Sequence, residues 1–382
     1  MIDQETGSES PDQAKPAEES GVVRYAVVGL GHIAQAAVLP AFKNAKQNSK
    51  LTALVSGDPE KLKALTKRYK VKGYSYEQYD ECLKSGEIDA VYIALPHDQH
   101  CEYTVRAAEA GIHVLCEKPM AVTAEDCEKM IHAASDVKLM IAYRLHLEEA
   151  NLKAIEIAQS GELGVLRIFS SVFCMQVKEG DIRVQSEHGG GTLYDIGVYC
   201  INAARYLFRA EPTEVFAATA AKEGDPRFTE VDEMASVVLK FPGDRLATFT
   251  CSFGAADHAS YHIVGTEGDL RVDPSYEYTL KLAHFLTKDG KTKKTVFPKR
   301  DHFGAELVYF SDCVLNDKQP GPSGTEGLID VRIIEALYES AKTGKSVKVQ
   351  TELPEDRPTL DQEIHKSAVR EPELVNTEPP HE

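Results

Sequence analysis

From Val22 to Tyr143 the chain alternates short apolar runs with amphipathic stretches of helical period. The apolar runs are Arg24–Val28, Leu51–Val55, Ala90–Leu95, His113–Cys116 and Leu139–Tyr143. Each is rich in β-branched or aromatic residues and too short for a helix, which predicts buried strands. Between them lie predicted helices at Ala34–Asn44, Pro59–Tyr69, Tyr76–Leu83, His100–Ala110 and Ala124–Ala134. Strand and helix in alternation, with short connections, predict a parallel sheet covered on both faces.

After Tyr143 the pattern changes. A helix over Leu147–Gln159 stops at Gly161 and is followed by a strand at Leu166–Val177. A Gly189-Gly190-Gly191 loop then leads into a helix from Thr192 to Phe208. Longer strands follow at Glu214–Ala221, Met234–Phe241, Arg245–Phe253, Ser260–Gly265, Asp269–Asp273, Tyr278–Thr287 and Lys294–Phe297, with turns such as Pro242-Gly243-Asp244. Consecutive strands joined by tight turns predict an open, mostly antiparallel sheet in an α+β domain. Helices at Phe303–Leu315 and Gly327–Thr343 complete it. The expected organisation is an acidic flexible arm over 1–21, a nucleotide domain over 22–144, an α+β domain over 145–350 and an acidic flexible tail over 351–382.

The chain has 382 residues, enough for two domains, and a formal charge of -17. Six acids against one base in residues 1–21, and nine against three in residues 351–382, supply much of that charge. An acidic chain is a poor partner for nucleic acid or an anionic membrane, and neither is expected. No apolar run approaches a membrane span, and the start of the chain has no signal-peptide pattern. Eight cysteines without a C-x-x-C pair read as reduced buried thiols, which points to the cytoplasm.

Candidate chemistry collects where the first five strands end, the edge at which open parallel sheets bind ligands. The first ends in Gly29-x-Gly31-x-x-Ala34, the G-x-G-x-x-G/A pattern of a Rossmann dinucleotide site. Gly29 allows the turn, Gly31 lets a pyrophosphate approach, and Ala34 lets helix and strand pack closely. The second ends in Ser56-Gly57-Asp58, where a carboxylate would bind the 2′-hydroxyl of NAD. Ser56 with Lys61 one helical turn on suits the 2′-phosphate of NADP instead, unless Asp58 turns inward; as a helix cap it would not. The fourth ends in Glu117-Lys118-Pro119, where burial would lower the lysine pKa towards neutrality and Glu117 could fix its position. Leu95-Pro96-His97 and Tyr143-Arg144 end the other two. Asp195 and Tyr199 lie four apart on one helix face, beside the triple glycine. His97 and His100 lack further ligands at metal-binding spacing, and no metal is expected.

Taken together, A-V-V-G-L-G-H-I-A, A-L-V-S-G-D-P-E-K, V-Y-I-A-L-P-H-D-Q-H, G-I-H-V-L-C-E-K-P-M, A-Y-R and G-G-G-T-L-Y-D-I-G-V-Y-C-I-N resemble the glucose–fructose oxidoreductase and inositol dehydrogenase family over about residues 22–350. Within it, Ser56 with Lys61 and the D-x-x-x-Y spacing at Asp195 resemble the NADP-dependent aldose oxidoreductases. The resemblance implies a catalytic group of Lys118, Asp195 and Tyr199 with Tyr143 nearby. It implies that His100 and Glu117 seat the nicotinamide ribose and that Tyr76 lies near the adenine. His32, Ile33, Leu95, His97, Arg144 and Arg183 complete the implied cofactor set with Gly29, Gly31, Ser56, Lys61 and Lys118. It further implies a sugar substrate, NADP, and a homo-oligomer, dimer or tetramer, formed through the second-domain sheet. The chain departs from the family at His97, where asparagine is common, and at Ile182-Arg183-Val184, where a tryptophan usually precedes the arginine. Alternatives to an aldose oxidoreductase with tightly held NADP are an exchangeable-NADP enzyme acting on xylose or anhydrofructose, and a regulatory protein of the same fold.

Overall fold

The computed structural model describes residues 21–351 and 357–380. Most of the expected arm, residues 1–20, lies outside them. Six parallel strands form the first sheet: β1 (Val23–Val28), β2 (Ser49–Val55), β3 (Lys72–Tyr74), β4 (Ala90–Ile93), β5 (His113–Cys116) and β6 (Leu139–Ile141), in the order β3-β2-β1-β4-β5-β6. Alternation along β1 explains why both faces are covered. Tyr25 and Val27 enter one apolar cluster, and Ala26 and Val28 enter the other. A strand buried on both sides needs an apolar residue at nearly every position.

The flanking helices are α1 (Ala34–Ala41), α2 (Pro59–Tyr69), α3 (Tyr79–Leu83), α4 (His100–Glu109) and α5 (Ala124–Ala133). The first five residues of α1 form a π-helical turn. Strand β3 has no apolar run of its own, since Lys72 and Gly73 are exposed and only Tyr74 is buried. It pairs on the outer edge of β2, which is why hydrophobicity did not reveal it. Two expected strands are shorter than predicted: Leu95 and Tyr143 lie beyond β4 and β6, in the loops that face the second domain.

After α6 (Glu149–Gln159), the second sheet begins at β7 (Leu166–Cys174), and α7 (Val198–Phe208) follows. Its other strands are β8 (Glu214–Ala220), β9 (Met234–Phe241), β10 (Arg245–Ser252), β11 (His258–Gly265), β12 (Gly268–Val272), β13 (Leu282–Lys288), β14 (Lys291–Phe297) and β15 (Val347–Lys348). Nine strands run β14-β13-β12-β11-β7-β10-β9-β8-β15, all antiparallel except the β7–β10 pair. In β9, Ala235, Val237, Leu239 and Phe241 face the core while Ser236, Val238 and Lys240 face out. This is the signature of a sheet covered on one side only.

Helices α8 (His302–Leu315) and α9 (Gly324–Thr343) come last among the long elements. Although α8 follows the second sheet in sequence, it returns to the first. Phe303, Leu307 and Phe310 share a core with Tyr25 and Val27, and the Tyr25 hydroxyl pairs with Ser311 Oγ at 2.7 Å. The 145–350 segment is thus not spatially a single domain. The tail expected to be free is packed over its described part. Arg300 bridges to Ser367, Arg68 donates to the Glu373 carbonyl at 2.7 Å, and Lys178 N donates to the Pro380 carbonyl at 3.1 Å. Acidic and Pro-rich composition signalled a polar segment, but several of its anchors use main-chain groups of the tail, which composition does not show.

A buried ionic joint ties the pieces together. Arg205 on α7 is fully buried and pairs with Glu211 at 2.5 Å, Asp330 at 2.7 Å and Glu326 at 2.8 Å. Arg357 in the tail also pairs with Glu211. Asp330 on α9 further accepts from Asn202 and from the Tyr143 hydroxyl beyond β6, both at 2.5 Å. Burial, offset by Arg205, leaves the Asp330 carboxyl raised to about 6. Removing the guanidinium strands several carboxylates in a dry site, so Arg205→Ala is expected to cost about 3–5 kcal/mol of stability. Urea unfolding checks this; a midpoint equal to the parent's would show that the joint carries no stability.

Candidate active site

The ends of β1, β4 and β5 face the loop before α7 across a cleft of about 530 Å³. Its base is built by Lys118, directly after β5. The Lys118 ammonium donates to Asp195 Oδ1 and to the Asp195 carbonyl, each at 2.8 Å. The second carboxylate oxygen of Asp195 accepts from Arg183 Nε at 2.7 Å, and Arg183 also meets Asp181 at 3.2 Å. One carboxylate from the second domain therefore sits between a lysine of the first and an arginine of its own. Asp195 lies in a π-helical turn, Leu193–Gly197, that opens α7. Gly191, at φ +127°, makes the entry possible, because a Cβ there would lie 2.5 Å from the Tyr338 hydroxyl.

Electrostatics follow from this geometry. Burial alone would raise the Asp195 carboxyl, but Arg183 and Lys118 hold it well below the usual carboxylate range. Burial alone would lower the Lys118 ammonium, yet Asp195 and Tyr199 more than compensate and its pKa is raised. The expected drift of this lysine towards neutrality is corrected: desolvation acts, and the ion pair wins. Lys118 is a fixed cation. Its Nζ lies 5.1 Å from the centre of the Tyr199 ring, and the Arg144 guanidinium lies 5.0 Å from the same ring. Arg144 is held by the Tyr276 carbonyl at 2.5 Å and by His302 Nδ1 at 3.1 Å.

Around this centre the structure gathers His32, Ile33, Leu95, His97, Glu117 and Arg183 along the cleft. Glu117 accepts from the Tyr92 hydroxyl at 2.8 Å, and burial raises its pKa. Tyr92 hid within a strand that reads as pure core. His97 Nδ1 meets the Gly189 carbonyl at 3.0 Å, and burial with His100 beside it lowers its pKa to about 3, so its ring is neutral.

Two expected site residues are placed elsewhere. Both ring nitrogens of His100 face main-chain carbonyls, Pro119 and Leu95 at 2.9 Å each, and the residue is fully buried. It braces the turns carrying Lys118 and His97 rather than facing a ribose. Tyr143 turns its hydroxyl to Asp330 in the ionic joint and lines a small cavity of about 30 Å³ that Tyr199 divides from the main cleft. The family resemblance implied a place for Tyr143 beside the catalytic group, but the chain turns into a 3-10 helix at Arg144 and the Tyr143 hydroxyl is occupied by Asp330.

Along the same edge of the first sheet, at the ends of β1 and β2, the residues fit a dinucleotide. Gly29 has φ +89°, and a Cβ there would lie 2.4 Å from the Ala94 carbonyl oxygen, so the turn itself requires glycine. A Cβ at Gly31 would meet no protein atom within 4 Å; the fold does not demand this glycine, whereas an approaching pyrophosphate does. No side chain caps the start of the following helix. A Cβ at Gly57 would lie 2.9 Å from the Tyr76 ring, which places an edge of that ring against the loop after β2. Ser56 is buried with its hydroxyl accepting from Asp58 N at 3.2 Å. Asp58 caps α2 by accepting from Glu60 N and Lys61 N, both at 3.0 Å. Its carboxylate is thereby turned to the helix start, with Lys61 Nζ 3.9 Å away.

Sequence inspection also missed the second-domain side of the cleft. Asp257 and His258 at the start of β11, and Asp273, Glu277 and Tyr278 between β12 and β13, line it with Pro380 of the tail. Loops of mixed polarity gave no signal; only the fold of the sheet brings them opposite Lys118.

Comparison with known proteins agrees with this architecture. The chain is 32% identical over 338 residues to a D-xylose 1-dehydrogenase [NADP(+)] of Haloarcula marismortui, covering 86% of this chain and 93% of that protein. It superposes on the crystal structure of aldose–aldose oxidoreductase from Caulobacter crescentus with a TM-score of 0.82 and 36% identity, over 86% of this chain and all of that one. A 3-ketoreductase from Actinomadura kijaniata, solved with NADP and TDP-benzene, aligns with a TM-score of 0.77 and 26% identity, over 84% of this chain and 98% of that one. Residues 23–144 match the oxidoreductase family with an NAD-binding Rossmann fold, and residues 151–271 match the C-terminal domain of the GFO/IDH/MocA group. The chain belongs to the GFO/IDH/MocA oxidoreductase family.

Proposed function

We propose that the protein is an NADP-dependent oxidoreductase acting on a sugar carbinol, at C1 of an aldose. The observation that carries this reading is the Lys118–Asp195 pair beside Tyr199, at the base of a cleft that opens onto the glycine-rich turn. NADP, when bound, supplies the hydride acceptor. Gly29, Gly31, His32 and Ile33 would hold its pyrophosphate, Ser56 and Lys61 its 2′-phosphate, and Tyr76 its adenine. Tyr199 Oη takes the proton of the substrate hydroxyl while its own phenolic proton passes to solvent at the open side of the cleft. Lys118, charged throughout the working pH range, stabilises the negative charge that develops on that oxygen. Asp195, with both oxygens occupied by cations, fixes Lys118 and does not itself move a proton. The second-domain wall, with Asp257, Asp273 and Glu277, suits the hydroxyls of an uncharged sugar and repels a phosphorylated one. Relatives named for xylose and for aldose oxidoreduction support the same class.

We also infer a homo-oligomer through the uncovered face of the second sheet. Ile168, Val172, Phe216, Val238 and Leu246 are each exposed by 36% or more on strands β7 to β10. Clustered apolar exposure of this kind marks an interface. The absence of any disulfide among the eight cysteines supports a reducing, cytoplasmic setting.

Absorbance at 340 nm after mixing with NADP and unphosphorylated aldoses tests the activity. Reduced nucleotide is expected to appear in step with the lactone. No change with any sugar, despite nucleotide binding, would favour a regulatory binding protein. Lys118→Ala is expected to lower kcat by about a thousandfold or more while NADP still binds; near-parental turnover would remove Lys118 from the chemistry. Ser56→Asp places a carboxylate against the 2′-phosphate and is expected to weaken NADP binding on the order of a hundredfold while sparing NAD. Unchanged NADP affinity would place the 2′-phosphate elsewhere. Phe216→Lys with Val238→Lys is expected to shift the protein to monomer in sedimentation velocity; an unchanged assembly would move the interface off this face.

A further inference from the structure

The tail crosses the mouth of the cleft. It starts beside the first sheet, where Asp301 N at the head of α8 donates to the Lys366 carbonyl at 3.1 Å, Arg300 bridges Ser367, and Asn44 Nδ2 donates to the Ser367 carbonyl at 2.6 Å. It then passes to the nucleotide edge of the first sheet. There Arg68 holds the Glu373 carbonyl, and the Gln35 side chain grips Val375 at both main-chain atoms. Gln35 Nε2 donates to the Val375 carbonyl at 2.9 Å, and Val375 N donates to Gln35 Oε1 at 2.8 Å. Asn376 Nδ2 faces Asp58 and Glu60 at 3.4 Å each, beside the proposed 2′-phosphate position. Finally the chain crosses to the second domain, where Lys178 binds the Pro380 carbonyl and the Glu378 carboxylate, the latter at 3.3 Å. Pro380 itself lines the cleft with His32 and Ile33.

Gln35 makes this arrangement more than a resting place. It is fully buried, four residues beyond Gly31 on the helix that follows the glycine turn. A buried amide must be satisfied, and two of its three hydrogen bonds are to Val375; the third goes to the Leu30 carbonyl at 2.9 Å. The first helix is thus completed by the tail. The remaining hydrogen bonds and ion pairs of 371–380 are few and at the surface, which is the profile of a segment that opens locally without global unfolding.

We propose that residues 371–380 are a strap that closes the dinucleotide cleft and sets the rate at which the cofactor enters and leaves. This rests on the nucleotide reading above, not on the choice of sugar. A cofactor held by Ser56, Gly31 and Lys118 would lie beneath a strand of chain tied to both walls, and its exit would wait on Val375 releasing Gln35. The strap belongs to the same chain as the site it covers.

NADPH fluorescence, with excess NADP as chase and no sugar present, measures the release rate directly. Release from the full chain is compared with that from a chain ending at Arg370 and from full-length Val375→Pro, which removes the N–H that Gln35 accepts. Both variants are expected to release NADPH at least about tenfold faster than the parent. Equal rates in all three would overturn the strap while leaving the nucleotide site standing. If no form binds NADPH, the nucleotide reading fails and the strap falls with it. Should the shortened chain misfold, amide hydrogen exchange on the parent decides: NADP is expected to slow exchange across 371–376, and unchanged exchange there would refute closure over the cofactor.

Discussion

Asp195, held between Lys118 and Arg183, is the interaction on which the site depends. It is the point where the two domains meet chemically: an ammonium at the end of β5 is fixed by a carboxylate and a carbonyl from the turn before α7. A buried carboxylate without partners would be costly and would protonate. With two cations on it, Asp195 is ionised, and Lys118 in turn is held charged. The cleft, the neighbouring Tyr199 and Arg144, and the dinucleotide turn are arranged around that fixed positive charge. The second ionic centre, at Arg205, does the mechanical part, joining α7, α9 and the segment beyond β6 so that the first centre keeps its geometry.

The division of labour along the chain follows from this. Strand ends of the parallel sheet supply rigid positions for Gly29, Ser56 and Lys118. The mostly antiparallel sheet supplies a broad wall whose loops, at Asp257 and Glu277, face the cleft. The helix α8, although late in sequence, covers the first sheet, and the tail beyond it reaches the glycine turn through Gln35. First and last parts of the chain therefore complete the same site.

Much of this was legible in the sequence, for identifiable reasons. The α2, β5 and β9 boundaries coincide with prediction because Asp58-Pro59, Glu117-Lys118-Pro119 after a short apolar run, and Pro242-Gly243 are strong local signals. Gly29, Lys118, Asp195 and Tyr199 stood out because polar or glycine residues interrupt apolar pattern there. The failures are of another kind. Lys118 was expected to be deprotonated more easily, since a sequence shows that a residue follows a buried strand but not which carboxylate comes to meet it. His100 and Tyr143 sit at sequence positions that belong to the site, yet their side chains turn away, one to carbonyls and one to Asp330. The tail was read as free because its anchors, the main-chain groups of Glu373, Val375 and Pro380, carry no side-chain signature.

The charge state of Lys118 is where the account is most exposed, and it can be measured without substrate. Nitrogen NMR of the protein labelled at lysine side chains, with Lys118 assigned by its loss in Lys118→Ala, follows the Nζ resonance as pH rises. The account predicts an ammonium signal that persists past the ordinary lysine pKa of about 10.4, sustained by Asp195. A resonance that moves to the neutral amine near pH 7–8, the range of a lysine tuned by burial to act as a base, would contradict it and return the proton-transfer role to Lys118.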